Sequence, residues 1–121
     1  MEKDLKTVIS GSFRKHFKEI VILKKAIESL DIKVLSPNGE SVLNPNDEFA
    51  LLDSDPVQDC RLLQDSVFAK IRSSSFLVLA NFDGYIGKAA LMEFGYAVAY
   101  GLDILTVEEV LDPNLRPYCK Q

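Results

Sequence analysis

The stretch "FLVLAN", residues 76–81, constrains the fold most. Five apolar side chains stand in a row without polar alternation, so a strand here has no face to offer water. Strands covered on both faces belong to parallel sheets, whose crossover connections lay helices against the sheet. The neighbouring segments supply such helices. "TVIS" (Thr7–Ser10) is a short β-branched run that breaks at Gly11 and reads as a buried first strand. Residues 12–30 then place Phe13, Phe17, Ile20, Leu23, Ile27 and Leu30 at steps of three and four, a single helical stripe.

"DIKVLSP" is a second strand, stopped by Pro37. Residues 37–56 are rich in Asn, Pro, Gly and Asp and read as a long loop, with "EFALL" a short strand or a lid segment. Asp55-Pro56 predicts the start of a second helix, with the stripe Cys60, Leu63, Val67 and Ile71. After the central strand come the turn "FDGYIG" and a third helix ending at Gly101, a natural C′ residue. "DILTV" is a last strand, and the tail "DPNLRPYCKQ" reads as irregular.

This order predicts a single α/β domain over 1–121, a three-layer flavodoxin-like sandwich around a mostly parallel sheet. At 121 residues, 47% hydrophobic and 26% charged, the chain is long enough and apolar enough for a real core. No apolar stretch is long enough to span a bilayer, and "MEKDLKTVIS" lacks the layout of a signal peptide. The expectation is a cytoplasmic protein. Cys60 and Cys119 lack metal-ligand spacing and read as free thiols, so neither a metal nor a cofactor is expected. A net charge of −4 argues against binding the backbone of a nucleic-acid polymer.

Ligands in open parallel sheets bind beyond the carboxyl ends of the strands. That rule selects "SGSFR" after strand one and "NFDGYIGKAALME" after the central strand. In the first, Gly11 permits close backbone approach, while Ser12, Phe13 and Arg14 open a helix whose free N–H groups suit an oxygen-rich ligand. An ordinary N-cap serine accounts for Ser12 equally well. In the second, Asp83, Gly84 and Gly87 form either a turn chosen for its geometry or a ligand floor.

Glu93 is the sharpest feature. It is the one carboxylate in "ALMEFGYAVAYG", residues 90–101. An ionised group on so apolar a segment is costly unless paired, hydrogen-bonded or useful. One reading has it capping backbone N–H groups near the helix start. The other follows the helical wheel, on which Ala90, Leu91, Phe94, Ala97 and Val98 bury one face and Tyr96 and Tyr100 flank Glu93. This places the carboxylate at the edge of the core, open to a substrate. His16, the only histidine, reads as a surface or boundary residue, which leaves no Ser–His–Asp triad.

"SGSFR", an apolar central strand and then "DGYIGKAALMEFGYAVAYG" together resemble the nucleoside 2-deoxyribosyltransferase superfamily, which includes deoxynucleotide N-glycoside hydrolases. The resemblance runs in order from the first strand to the last. It implies that Glu93 matches a nucleophile that attacks the anomeric carbon of a nucleoside sugar and expels the base. It also implies that Gly11, Ser12, Phe13 and Arg14 line the sugar and base side, and that the protein is a homo-oligomer binding a small nucleoside or nucleotide.

This chain departs from the family at two places. Gly87 and Ala89 stand where the family carries a polar residue and a glycine, with Asp83 further back on the turn. The family's Asp on the preceding helix falls by count on Val67; Asp65 is the neighbouring carboxylate and the candidate second catalytic group. Three functions follow: an N-glycosidic transferase or hydrolase, a non-catalytic nucleotide sensor, and a structural subunit packing its tyrosine-bearing helix on a copy of itself.

Overall fold

The computed structural model describes residues 4–37 and 59–120. Strand β1 spans Lys6–Gly11, helix α1 Phe13–Glu28, β2 Lys33–Ser36, α2 Cys60–Arg72, β3 Phe76–Ala80, α3 Lys88–Tyr100, β4 Asp103–Thr106 and β5 Cys119–Lys120. The five strands form one sheet, in the order β2-β1-β3-β4-β5, with every pair parallel. That is the flavodoxin-like order, whose direction of winding reverses between β1 and β3. The expected α/β sandwich is therefore the architecture of the chain.

Alternation along the central strands sorts the core into two layers. Val8, Leu77 and Leu79 face α2 and α3 and pack with Ile71, Ala90, Phe94 and Ala97. Ile9, Val78 and Ala80 face the other way and pack on Ile20 of α1. The unbroken apolar run of β3 is thus used on both faces, which is why it shows no alternation. By the same parity Ser10 belongs to the α2/α3 face and Gly11 to the α1 face. A Cβ on Gly11 would lie 3.0 Å from Ala80 and 3.1 Å from Ile20, so this glycine lets α1 lie close against the sheet.

Several local expectations are corrected. Helix α2 begins at Cys60 and is capped by Asp59, whose side chain accepts from the Leu62 N–H at 3.0 Å. Asp55, Pro56 and the "EFALL" segment lie outside the described residues. The tail is not wholly irregular. Cys119–Lys120 pairs with Ile104–Leu105 as a fifth strand, too short to carry any periodicity of its own. Leu30 lies past the end of α1 and is exposed, and Leu91, placed by the wheel on the buried face, is also exposed.

His16 is buried rather than at the boundary. Its backbone departs from helical geometry (φ −130°, ψ 33°), so a regular wheel misplaces it. Its ring packs near those of Phe82 and Tyr85, and its Nε2 has no hydrogen-bond partner. Among the described residues, no helix is long and apolar enough to cross a membrane.

Candidate active site

The carboxyl ends of β1 and β3 meet at the point where the winding reverses, and a pocket of about 160 Å³ opens there. One wall is the turn into α1, formed by Gly11, Ser12, Phe13 and Arg14. The opposite wall is Tyr85 and the first turn of α3 from Gly87 to Ala90, with Glu93 one turn deeper and Val67 reaching in from α2. Two helix N-termini therefore border the cavity. Ser12 is the N-cap of α1, its hydroxyl accepting from the Lys15 N–H at 3.2 Å. Gly87 is the N-cap of α3 and offers no side-chain cap, and a helix N-terminus is a setting that suits an oxygen-rich ligand.

Glu93 is 8% exposed, and its carboxylate does not cap its helix. Ser10, fully buried at the end of β1, donates its hydroxyl to Oε1. Gln64, buried on α2, donates Nε2–H to Oε2 at 2.8 Å. Three elements converge on one carboxylate, each oxygen held by one donor and keeping a second lone pair. Burial pushes the Glu93 pKa above the ordinary carboxylate value, and the bonds from Ser10 and Gln64 pull it part of the way back. A carboxylate shielded from water and oriented by fixed donors can act as a nucleophile or stabilise an adjacent cation.

Of the residues singled out in the sequence, Gly11, Ser12, Phe13, Arg14, Gly87 and Glu93 come together around this cavity. Asp83 and Gly84 do not line it. They form a turn with positive φ at both residues, and the Asp83 N–H donates to the Glu108 carboxylate. Asn81 and the Glu108 backbone exchange two further bonds of 2.9 and 3.0 Å, tying this turn to the segment after β4. The geometric reading of "FDG" is thus the one the contacts support. Asp65 points to solvent and pairs with Arg61 at 3.8 Å, one turn along the same helix.

Ser10 and Gln64 are the site residues that motif reading passed over. Each had one usable signal. Ser10 follows Val8 on the α2/α3 face at the buried end of β1, and Gln64 follows directly on a stripe residue, Leu63. Tyr85 and Val67 also enter the lining. Lys15 sits 4.0 Å above the Tyr85 ring centre, a cation–π contact on the pocket rim. Among the described residues, no three His, Cys, Asp or Glu side chains are grouped as metal ligands would be.

Comparison with known proteins speaks to the fold. No protein-family model and no curated protein matches the chain. Among solved structures, a crystal structure described as a conserved protein from Enterococcus faecalis V583 aligns with a TM-score of 0.61 at 18% identity, over 86% of this chain. The chain spans 63% of that protein's length. At this identity the likeness establishes a shared architecture.

Proposed function

We propose that this protein cleaves or transfers the N-glycosidic bond of a nucleoside or nucleotide, ribo or deoxy, with Glu93 as the nucleophile. The observation that carries the reading is the environment of Glu93. It is a buried carboxylate on an apolar helix, held by Ser10 and Gln64, at the floor of a pocket on the ligand-binding edge of a parallel sheet. A purely structural glutamate has little reason to stand there, because desolvating a charge costs several kcal/mol that hydrogen bonds only partly offset. In the proposed reaction one Glu93 oxygen attacks C1′ as the C1′–N bond opens, and its charge stabilises the oxocarbenium-like transition state. Water or a second base then displaces the carboxylate. The N-termini of α1 and α3, with Arg14, suit the hydroxyls or 5′-phosphate of the sugar. The proposed setting is the cytoplasm, with the protein assembled as a homo-oligomer.

A second reading has its own motivation. Val67 faces the pocket while Asp65 faces solvent, so a site of this form could hold a nucleotide without turning it over. One experiment separates the two. The protein is incubated with nucleosides and their 5′-monophosphates, and released or exchanged base is followed by chromatography for wild type, Glu93→Ala and Glu93→Gln. Base release that both substitutions abolish supports the enzyme. Ligand-induced thermal stabilisation with no turnover supports the sensor, and full activity in Glu93→Ala removes the nucleophile assignment.

A further inference from the structure

Expelling a base from C1′ returns an electron pair to the base nitrogen. A positioned acid that protonates this nitrogen as it leaves is ordinarily worth about 10²–10⁴ in rate. The acid has to stand across the sugar from the nucleophile, because the C1′–N bond opens on the face opposite the attacking oxygen. Glu93 lies at the floor of the pocket, so the acid belongs on the wall above it. Among the described lining residues, that wall carries two groups with a proton to transfer, the phenol of Tyr85 and the ammonium of Lys88. Tyr85 has the setting suited to the task. Its oxygen lies over the start of α3, where a Cβ built on Gly87 would be 3.8 Å from Oη and 3.7 Å from Cε1. The Lys15 ammonium stands 4.0 Å above the ring centre, and the His16 ring centre is 6.4 Å away. A phenol that gives up its proton becomes an anion. Two positive features already face that charge, the Lys15 ammonium and the N-terminus of α3. From Gly87 to Glu93 the helix rises by about 9 Å. The Glu93 side chain leans back towards the helix start and shortens the gap, which leaves the depth of a sugar ring between carboxylate and phenol.

From this geometry we propose, resting on the N-glycosidic reading above, that Tyr85 is the catalytic acid, which donates its phenolic proton to the departing base. In the first half of the reaction a lone pair of Glu93 forms the bond to C1′. The C1′–N pair passes to the base nitrogen, which takes the proton from Tyr85 Oη, so the base leaves neutral and a phenolate remains. In the second half water enters where the base has left, on the Tyr85 side of C1′. Its oxygen bonds to C1′, its proton returns to the phenolate, and the ester C–O pair returns to Glu93. A second base delivers its N–H proton to the phenolate in the same way. Acid and base are thus one group in two states, as the reversal of the first step requires. Lys15 acts through Tyr85 as a positioning residue, with its charge over the ring that turns anionic.

The test compares leaving groups in the intact protein and in variants whose fold is verified by their melting curves. Inosine, thymidine and their 5′-monophosphates lose a base that needs a proton. The 4-nitrophenyl riboside and 2-deoxyriboside lose a nitrophenolate that needs none. Tyr85→Phe is expected to lower kcat for base release about 100-fold or more, and to change nitrophenolate release by less than about threefold. Lys15→Met is expected to show the same selectivity at a smaller size, about 3- to 10-fold on base release alone. Equal losses on both classes of substrate in Tyr85→Phe, or no loss, overturn the assignment of the acid and leave the N-glycosidic reading standing. A selective loss in Lys88→Met with none in Tyr85→Phe overturns it likewise and moves the role to Lys88. Wild-type protein that releases no base from any of these substrates overturns both readings.

Discussion

Ser10 and Gln64 hold the two oxygens of Glu93, and much of what can be measured on this protein follows from that pairing. Glu93 has its pKa raised by burial, so the folded state binds its proton more tightly than the unfolded chain does. Its contribution to stability is therefore fully present below the ordinary carboxylate pKa and is lost as pH rises through the raised value. Replacing it by Gln removes that loss, and the amide can still meet Ser10 and Gln64 by turning. Thermal melts from pH 4 to 8 are expected to show Glu93→Gln gaining on wild type as pH rises. A constant difference across that range would contradict the assignment. Ser10→Ala has the opposite effect. It leaves a buried carboxylate oxygen without its donor, at a cost of about 1–3 kcal/mol near neutral pH that shrinks as Glu93 protonates. Denaturant unfolding at two pH values measures it.

At the scale of elements, the helices were legible where their stripes were regular. The apolar steps of α1 and the glycine after α3 place those helices correctly, because both signals are local. The observed cap of α2 is Asp59, fixed by the hydrogen bond from the Leu62 N–H, which no residue identity reveals; the Asp55-Pro56 signal lies outside the described residues. Asp59→Ala is expected to cost about 1 kcal/mol and to lower Tm by several degrees. Gly11 illustrates a different limit. It stood out as a residue for close approach to a ligand, but the backbone and side chains it lets close are those of Ala80 and Ile20. Gly11→Ala is expected to destabilise by about 1–3 kcal/mol through overpacking between α1 and β3, measured by chemical denaturation.

For the whole molecule, the outer face of α3 is the feature most open to experiment. Leu91, Met92, Gly95, Ala99 and Tyr100 are all exposed there, and the one charge on that spacing is Lys88 in the first turn. A soluble monomer ordinarily breaks such a stripe with charged residues. Under the homo-oligomer proposal a second copy covers this face. Sedimentation is expected to give a species larger than 13.5 kDa, and Met92→Lys is expected to shift it towards monomer. Wild-type protein that sediments as a monomer at micromolar concentration would remove the proposal.

The sequence by itself determined the class of fold, because an unbroken apolar strand between regular helical stripes can be satisfied only by a sheet covered on both faces. It also singled out Glu93, because one carboxylate on an apolar helix is conspicuous without any coordinates. Its surroundings were a tertiary matter. Ser10 reaches Glu93 from 83 positions away and Gln64 from 29, through the packing of α2 and α3 against β1. Asp65 and Gln64 are adjacent in the chain, yet the turn of α2 aims one at water and the other at the carboxylate. A helical step of about 100° separates neighbours, and only the docking of the helix on the sheet decides which of them faces the site.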